Sequence, residues 1–508
     1  MHPSHHARTR PEKPALIMQP SGKVTTYAQL EEGSNKAAHL LRSLGLKRGD
    51  VAAVFLENHP KFLEIAWGAQ RSGLFLVCIS SRFGPSEVSY LLSDSNAQVL
   101  ITSAELAPVA QEVAKSAPEL HLLMLDDVRP GFRSYEDAVE ELPGTPIPDE
   151  SHGSDLLYSS GTTGRPKGVR TPLPDGPLDT PPPIAGLARE YYGFDENTVY
   201  LCPAPLYHAA PLRWSMLVQR LGGTVVLLSN FDAELALASI EKYQVTAAQW
   251  VPTHFVRMLK LPDEVRARYD HSSLRTAVHA AAPCPVEVKK AMIDWWGPIL
   301  FEYYAGTEAN GLTGLSTEEW LRKPGSVGRS IVGEVKICDD LGEPVPIGTE
   351  GLVYFANGLP FEYHNDPQKT AESRNRYGWT SLGDIGRLDE DGYLYLTDRK
   401  SFTIISGGVN IYPREIEDIL VTHPRVADAA VIGAPDPDMG ERVVAVIQPL
   451  SWSDAGPALA EELQQFVRQR LSGIKVPRQV DFMAELPRHP NGKMYKRQIR
   501  ELYWSSGS

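Results

Sequence analysis

Hydrophobic and polar residues follow two different periods in the N-terminal part of the chain. The segment "TTYAQLEEGSNKAAHLLRSLGL", residues 25–46, spaces its apolar residues along one face of a helix and predicts an amphipathic helix. The segments "DVAAVFLEN", "AQVLITS" and "GTVVLLSNF" are short apolar runs that predict buried strands. Because strands alternate with helices, we expect an α/β fold with largely parallel sheets.

A proline-rich segment interrupts this alternation. The segment "TPLPDGPLDTPPP", residues 171–183, holds six prolines. Proline lacks the amide hydrogen that a helix interior or a central strand needs. We therefore expect an exposed loop here.

The C-terminal part of the chain predicts a compact unit of its own. The segments "NIYPREIEDIL" and "LAEELQQFVRQRL" predict helices, and "VADAAVIGAPD" between them predicts a strand that runs into a turn. The two helices carry their apolar residues on one face, at Ile416, Ile419 and Leu420 and at Leu459, Leu463, Phe466 and Val467. A unit of this size is a plausible domain, and its boundary should lie near "DRKSFTIISGG".

Composition excludes several classes of protein. The chain has 508 residues, 42% of them hydrophobic and 22% charged, as in ordinary soluble globular proteins. Its net charge of -13 disfavours binding to nucleic acid or to anionic lipid, both of which select basic surfaces. No apolar run is long enough for a membrane span, and the polar start does not resemble a signal peptide. We expect a cytoplasmic protein.

The cysteine pattern agrees with a cytoplasmic location. Cys78, Cys202, Cys284 and Cys338 are far apart in the sequence, without the paired spacing of a zinc site or a disulfide framework. Four reduced structural thiols are the expectation.

One segment concentrates groups that bind anions. The segment "YSSGTTGRPKGV", residues 158–169, combines glycines and Lys167 with the hydroxyl groups of Ser159, Ser160, Thr162 and Thr163. Glycine permits backbone conformations in which successive amide hydrogens point at a phosphate, and the hydroxyls and the lysine add donors and charge. It is not the phosphate loop of the NTPases, because Gly168 follows the lysine where that motif needs serine or threonine. A solvent-exposed turn is the alternative.

This segment and five others resemble the motifs of the adenylate-forming superfamily, which includes acyl-CoA synthetases, aryl-CoA ligases, luciferases and peptide-synthetase adenylation domains. The resemblance covers nearly the whole chain, from about Pro14 to Arg497. It implies a large multi-subdomain N-terminal domain at residues 1–400 and a small, mobile α+β domain at 401–508. The other motifs are "AAAPCP" at 280–285, "YYAGTE" at 303–308, "GWTSLGDIG" at 378–386, "TDRK" at 397–400 and "LPRHPNGKMYKR" at 486–497.

The resemblance assigns a role to individual residues. Lys493 corresponds to the catalytic lysine of the C-terminal domain, and Glu308 to the residue that reaches Mg²⁺, a hard cation that prefers carboxylate and phosphate oxygens. Thr307 corresponds to a phosphate contact. The expected contacts to adenine are Ala281, Ala282, Pro283 and Tyr304, those to ribose are Asp384 and Arg399, and those to the thiol of coenzyme A are Ser406 and Gly407.

The reaction implied has two steps and uses ATP, Mg²⁺ and coenzyme A. A carboxylate attacks the α-phosphorus of ATP and releases pyrophosphate, and a thiol then attacks the acyl-adenylate and releases AMP. No protein nucleophile is needed, so positioning and charge neutralisation carry the catalysis. Two departures from the family pattern stand out. Ser401 occupies the usual hinge position, and the proline-rich segment replaces a stretch that usually bears a histidine.

The acid substrate is predicted from the segment "PLYHAAPLRW", residues 205–214, whose histidine lies at the acid pocket in the family. The predicted pocket residues are Tyr207, His208, Trp214 and Trp250, with Arg213 and His254 as further candidates. Aromatic and polar groups favour an aryl acid of the hydroxycinnamate type, such as ferulate or coumarate, over an alkyl chain. A medium- or long-chain fatty acid is the alternative.

Other functions stay open at this point. A stand-alone enzyme that loads a carrier protein is one alternative, and a luciferase-like oxygenase is another. A nucleotide-binding sensor without catalysis and a kinase-like ATPase belong to different classes. The expected partners are a small carboxylic acid and coenzyme A, without nucleic acid or stable membrane insertion, and a homodimer is one possible assembly.

Overall fold

The structure is a computed structural model, which describes residues 1–159, 166–182, 184–488 and 494–504. Its centre is a nine-stranded sheet. Every pairing from the strand Pro14–Gln19 across to Leu300–Ala305 is parallel, and the strands at both edges are antiparallel. Along the sheet the strands are Arg329–Val332, Leu312–Ser316, Leu300–Ala305, Thr276–His279, Ala247–Trp250, Val199–Cys202, Thr224–Leu228, Pro14–Gln19 and Val24–Thr26.

A six-stranded sheet forms the second layer of the large domain, and all its pairings are parallel. Its central strands consist of continuous apolar residues, as expected where both faces of a sheet are covered. The strands in order are Arg133–Ser134, His121–Leu125, Ala97–Ser103, Val51–Phe55, Phe75–Ile79 and Ser154–Asp155.

Two smaller antiparallel sheets complete residues 1–400. The four-stranded sheet carries the "GWTSLGDIG" and "TDRK" motifs on neighbouring strands. Its strands in order are Glu334–Cys338, Gly351–Ala356, Thr380–Leu388 and Leu394–Arg399, and those of the three-stranded sheet are Glu362–Tyr363, Lys167–Arg170 and Leu157–Ser159.

The C-terminal residues form a sheet of their own with its own apolar core. A strand at Gln479–Phe482 runs parallel to its long central strand, and the other pairings are antiparallel. The other strands in order are Val409–Ile411, Ile404–Ser406, Gly440–Pro449 and Val426–Asp436.

Helices cover the faces of these sheets. The α-helices are Pro3–Thr9, Tyr27–Ser43, Phe62–Arg71, Pro85–Ser95, Ala107–Ala114, Tyr135–Glu140, Ile184–Glu190, Ala209–Leu221, Ala233–Tyr243, Pro252–Leu259, Asp263–Arg266, Val286–Trp296, Thr317–Arg322, Pro367–Glu372, Pro413–Leu420, Pro457–Arg468 and Lys496–Trp504. Short 3₁₀ helices occur at Lys400–Phe402, Trp452–Asp454 and Gly473–Lys475.

One apolar cluster joins the two large sheets. It contains Val54 and Leu76 of the six-stranded sheet, Tyr200 and Leu227 of the nine-stranded sheet, and residues of the helices between them such as Phe62. A fully buried side chain of this kind contributes about 1.5–3 kcal/mol to stability. The layers are therefore fixed to each other by burial of apolar surface.

The elements predicted from hydrophobic period are confirmed. The helix expected within residues 25–46 spans Tyr27–Ser43, and Thr26 and Gln29 form a reciprocal cap at its start. Each apolar run contains the strand it predicts, and both C-terminal helices are present. The described part of the proline-rich segment, residues 171–182, holds no helix or strand. The α/β fold with parallel-rich sheets is thus confirmed.

A lysine of the large domain contacts the small one through backbone groups. Lys260, which follows the helix Pro252–Leu259, donates from Nζ to the carbonyl oxygen of Val421 at 3.3 Å and to that of Val426. Val421 ends the helix Pro413–Leu420, where the last carbonyls have no partner within the helix. Burial lowers the pKa of Lys260 to about 8. This contact holds the two parts of the chain together in the orientation observed.

The structure bears on two expectations about cellular context, which concern membrane-spanning helices and the state of the cysteines. Of the helices that the structure describes, none combines the length and the apolar character needed to cross a lipid bilayer. All four cysteines are buried and unbridged, as predicted. The cytoplasmic location stays a prediction.

Acidification is expected to weaken the fold through His254. The ring is buried and stacks on Phe231 with 4.0 Å between ring centroids, and burial lowers its pKa to about 3. Below about pH 6.5 the unfolded chain binds a proton at this histidine while the folded chain does not, so stability falls as pH falls. The loss is about 1.4 kcal/mol per pH unit between pH 6.5 and pH 3.

Urea unfolding at pH 6.5 and at pH 4.5 measures this effect. A His254→Gln variant should lose about 2–3 kcal/mol less between the two pH values than the unmodified protein. Equal losses in both proteins would contradict the prediction.

Candidate active site

A cavity of about 990 Å³ lies at the carboxyl ends of the central parallel strands. The residues that directly follow four of these strands line its wall. These strands end at Cys202, Trp250, His279 and Ala305. Open α/β sheets bind ligands at this edge, because the loops after parallel strands converge there. The C-terminal part of the chain closes the cavity from the other side.

The segment predicted to bind phosphate is flanked by a pair of antiparallel strands at the cavity. Ser159 and Lys167 lie opposite each other on these strands, and both line the cavity. The Lys167 ammonium lies 5.4 Å from the centroid of the Tyr363 ring. Burial lowers the pKa of Lys167, and the neighbouring Lys369 lowers it further. Three predicted residues of this segment, Ser160, Thr162 and Thr163, lie outside the described residues.

Glu308 presents a buried carboxylate beside this lysine. Its side chain is almost fully buried, and its Oε1 accepts a hydrogen bond of 3.0 Å from the Tyr363 hydroxyl. In the described ranges, no cluster of three histidine, cysteine or carboxylate side chains could hold a metal by itself. A lone carboxylate fits Mg²⁺, which is commonly held by one or two protein carboxylates together with substrate phosphates.

Asp384 joins two of the predicted nucleotide contacts. It accepts a hydrogen bond of 2.6 Å from the Tyr304 hydroxyl at Oδ2, and one of 3.1 Å from Arg399 Nε at Oδ1. Burial acts to lower the pKa of Arg399, but the combined effect of Asp384, Tyr304 and Glu308 raises it. The guanidinium therefore stays charged, and its hydrogen bond fixes the position of the Asp384 carboxylate at the cavity.

The small residues predicted to contact adenine follow the strand Thr276–His279. Ala281, Ala282 and Pro283 all line the cavity. Ala281 has a φ of 73°, in the left-handed region that non-glycine residues rarely adopt. Such backbone strain is concentrated at functional sites, where surrounding contacts hold it in place.

The predicted acid pocket lies between the helix Ala209–Leu221 and the central strands. His208 precedes the first residue of this helix, and the Tyr207 ring contacts it edge-on at 4.5 Å. Tyr207 and Trp214 are buried, and all three side chains belong to residues of the cavity wall.

The floor of this pocket is a network that the sequence analysis did not name. Gln249 Nε2 donates to the Tyr303 hydroxyl oxygen at 2.6 Å, and Trp214 Nε1 donates to the same oxygen at 3.4 Å. The Tyr200 hydroxyl donates to Gln249 Oε1 at 3.4 Å. Burial raises the pKa of Tyr303, so its hydroxyl remains neutral.

Trp250 has a different environment from its neighbour Gln249. Its side chain is 1% exposed and packs on Phe255 and Trp296 in the second apolar cluster. Successive side chains of a strand point to opposite faces, so Gln249 occupies the pocket side. Trp250 also lines the cavity, although most of its side chain is packed in the apolar cluster. Strand alternation within "QWVPTHF" is the signal that identifies Gln249.

Ser406 and Gly407, the residues predicted to contact the thiol of coenzyme A, do not line the cavity. They lie at the turn between the strands Ile404–Ser406 and Val409–Ile411. Gly407 has a φ of 56°, in the left-handed region that favours glycine, and a Cβ there would meet only the flexible end of the Met439 side chain.

Lys493 lies outside the described residues, as does the whole segment 489–493. The residues on either side of that segment, Arg488 and Met494, both line the cavity. Of the predicted residues of the large domain that the structure describes, His254 is absent from the cavity wall, because it stacks on Phe231 instead; the others, including Thr307, line the cavity.

Comparison with known proteins agrees with this architecture. The sequence matches the AMP-binding enzyme family over residues 4–359 and the AMP-binding enzyme C-terminal domain over residues 415–493. Feruloyl-CoA synthase of Amycolatopsis sp is 36% identical over 509 residues, covering 99% of this chain and 98% of that protein. The fatty acid–[acyl-carrier-protein] ligase ScoC of Streptomyces coeruleorubidus is 31% identical over 521 residues, covering 99% and 96%.

A solved structure shares the whole fold. The anthranilate CoA ligase AuaEII in complex with anthranoyl-AMP matches with a TM-score of 0.86 and 25% sequence identity, covering 99% of this chain and 96% of that one. The family predicted from the sequence motifs is confirmed: the chain belongs to the adenylate-forming superfamily of AMP-binding enzymes.

Proposed function

We propose that this enzyme joins a hydroxycinnamic acid, of the ferulate or coumarate type, to coenzyme A at the expense of ATP. The broader prediction, an AMP-forming acid–CoA ligase, is confirmed by the family and by the named activities of its relatives. What the proposal adds is the chemical class of the acid and the roles of individual residues.

The polar groups at the floor of the pocket are the observation that favours a hydroxycinnamic acid over a fatty acid. Gln249 and Trp214 both donate to the Tyr303 oxygen, which leaves the hydrogen of the Tyr303 hydroxyl for a ligand oxygen. A phenolic or methoxy oxygen on a ring would accept it, whereas an alkyl chain would leave this buried donor unpaired. Leaving a buried polar group unpaired costs about 1–3 kcal/mol. The named substrate of the feruloyl-CoA synthase relative supports the same class.

In the first step the acid carboxylate attacks the α-phosphorus and pyrophosphate leaves. We assign Lys167 and the hydroxyl-rich segment before it to the triphosphate, and Asp384 to the two ribose hydroxyls. The buried carboxylate of Asp384, fixed by Arg399 and Tyr304, supports this role. Lys493 would neutralise charge at the carboxylate and the α-phosphate.

Glu308 is the residue that would hold Mg²⁺ through its carboxylate. Bound there, Mg²⁺ neutralises charge on the leaving group. The protein contributes a buried carboxylate whose orientation is set by the hydrogen bond from Tyr363.

In the second step the thiol of coenzyme A attacks the acyl carbonyl and AMP leaves. We propose that residues 401–508 rotate about the region of Ser401 between the steps, which replaces the Lys493 segment by Ser406 and Gly407. The positions of Arg488 and Met494 at the cavity and of Gly407 away from it support the first-step orientation in this structure.

A substrate panel tests the proposal. The purified enzyme is incubated with ATP, Mg²⁺ and ferulate, coumarate, benzoate, octanoate or palmitate, with and without coenzyme A, and products are separated by mass. We expect AMP and a CoA thioester chiefly from ferulate and coumarate. Thioester chiefly from octanoate or palmitate would overturn the choice of acid.

Removal of the Tyr303 hydroxyl should change specificity more than activity. In Tyr303→Phe, kcat/KM for coumarate should fall about tenfold, the value of one hydrogen bond, while cinnamate without a ring hydroxyl should change little. Tyr192→Phe is the matched control, because Tyr192 is buried against Trp214 but does not line the cavity. Equal losses for both acids would contradict the assignment.

A fatty acid is the second candidate substrate. Ile184, Leu187, Leu312 and Val332 give the cavity wall an apolar portion, and the ScoC relative is named for a fatty acid and an acyl-carrier protein. Adenylate without a CoA thioester in the panel would favour a carrier protein as acceptor.

A further inference from the structure

We propose that Arg213 is a positioning residue for the adenylation step, and that it orients the loop bearing Thr307 and Glu308. This inference rests on the proposed function. It concerns a side chain that was predicted only as a wall of the acid pocket.

Arg213 contacts two segments that are distant in sequence. Its Nε and Nη2 donate to the two carboxylate oxygens of Asp155 at 2.7 Å and 2.8 Å, which is a bidentate ion pair. Its Nη1 donates to the backbone carbonyl of Thr307 at 3.3 Å. One guanidinium thus ties the helix of the acid pocket to both segments.

Each of these segments leads directly into the catalytic machinery. Asp155 ends a strand of the six-stranded sheet and stands just before the strand Leu157–Ser159, which enters the phosphate-binding segment. Thr307 immediately precedes Glu308, the proposed Mg²⁺ ligand. A shift at Arg213 would therefore move groups on both sides of the triphosphate.

The loop that Arg213 holds has a constrained shape. Ala309, directly after Glu308, has a φ of 51°, which a non-glycine residue adopts only where contacts enforce it. A Cβ on Gly306 would lie 2.4 Å from Leu382 and 2.6 Å from Glu308 Oε2. The carbonyl of Thr307 lies between these two positions, so its hydrogen bond fixes the centre of the loop.

The guanidinium of Arg213 remains positively charged in this environment. Burial acts to lower its pKa, but the charge and hydrogen bonding of Asp155, together with Tyr303 and Glu308, raise it above its ordinary value. The paired guanidinium is a rigid fork, so it can hold a carbonyl and a carboxylate in one fixed geometry. Lysine has a single ammonium and could not make all three contacts.

The expected result is a defect confined to one half-reaction. In Arg213→Met, kcat for acid-dependent ATP–pyrophosphate exchange should fall about 10- to 100-fold, as expected for a small misplacement of reacting groups. KM for the acid should change much less. The Mg²⁺ concentration for half-maximal exchange should rise about tenfold, because the carboxylate of Glu308 would no longer be held in place. Thioester formation from added acyl-adenylate and coenzyme A should proceed at the unmodified rate.

Matched variants separate positioning from folding. Arg220→Met removes a buried arginine of the same helix that donates to the Leu178 carbonyl and does not line the cavity, and it should leave exchange unchanged. Asp155→Asn weakens the anchor while Arg213 keeps its bond to Thr307, and Arg213→Lys keeps only the charge; both should give intermediate exchange rates. If Arg213→Met does not fold, the double variant with Asp155→Asn removes the unpaired carboxylate and gives the same readout.

Two outcomes would overturn the proposal. One is a folded Arg213→Met enzyme that exchanges pyrophosphate at the normal rate at every Mg²⁺ concentration. The other is an equal loss in exchange and in thioester formation from added adenylate. Failure of the proposed function looks different, because it appears in the unmodified enzyme, which would then exchange pyrophosphate chiefly with octanoate or palmitate, or with no acid of the panel.

Discussion

Replacement of Lys493 by alanine is expected to lower the rate of adenylate formation by about 10²- to 10³-fold, the usual effect of removing one group that stabilises transition-state charge. The lysine is proposed to bridge the attacking carboxylate and the α-phosphate, where negative charge shifts during the step. Binding of the acid and of ATP depends on other residues, so KM for both should change little.

The measurement is acid-dependent ATP–pyrophosphate exchange, followed by thioester formation from purified acyl-adenylate. The second reaction should survive in Lys493→Ala, because the lysine is withdrawn before the thiol enters. Lys475→Ala is the matched control in the same domain, since Lys475 pairs with Glu415 at 2.6 Å and does not line the cavity. Normal exchange in Lys493→Ala would contradict the assigned role.

The second large effect is expected at Glu308. In Glu308→Gln the hydrogen bond from Tyr363 can persist, but the negative charge that attracts Mg²⁺ is lost. We expect adenylate formation to fall about 100-fold at low Mg²⁺, because the metal neutralises the leaving pyrophosphate. High Mg²⁺ should restore part of the rate.

A Mg²⁺ titration of exchange activity measures this change. Glu362→Gln is the matched control, because Glu362 is exposed and adjacent in sequence to Tyr363 but lies outside the cavity wall. A Glu308→Gln enzyme with an unchanged Mg²⁺ dependence would show that the metal is held elsewhere.

Local patterns in the sequence predicted the fold well where they were strong. The apolar run around Val51–Phe55 could only be a buried strand or helix, and its length decided for a strand. The antiparallel strands between Glu334 and Arg399 gave a weaker signal, because three of the four mix polar residues among their apolar ones and only Gly351–Ala356 is a continuous apolar run. Motif resemblance placed Asp384 and Arg399 there instead.

Prediction of the candidate site from the sequence has a different limit from prediction of the fold. Residues within motifs, such as Lys167 and Glu308, were predicted because their neighbours in sequence carry the signal. The topology of two sheets brings together three residues that are distant in sequence, Asp155, Arg213 and Thr307. No local sequence pattern could therefore predict their contact. Gln249 was missed for a simpler reason. The sequence analysis chose its neighbour Trp250 for the pocket, but successive side chains of a strand point to opposite faces, and Gln249 is the one that faces the pocket.

The contact of Lys260 with the carbonyls of Val421 and Val426 bears on protein engineering. Its acceptors on the small domain are backbone oxygens, which any helix end and strand start would offer whatever their side chains. A C-terminal domain grafted from a relative would therefore meet the same lysine without any matching substitution. Chimeras joined near residue 400 should keep this contact. The cavity wall is different, because Arg414 of the small domain contributes to it through its side chain, so that part of the wall would change with the graft.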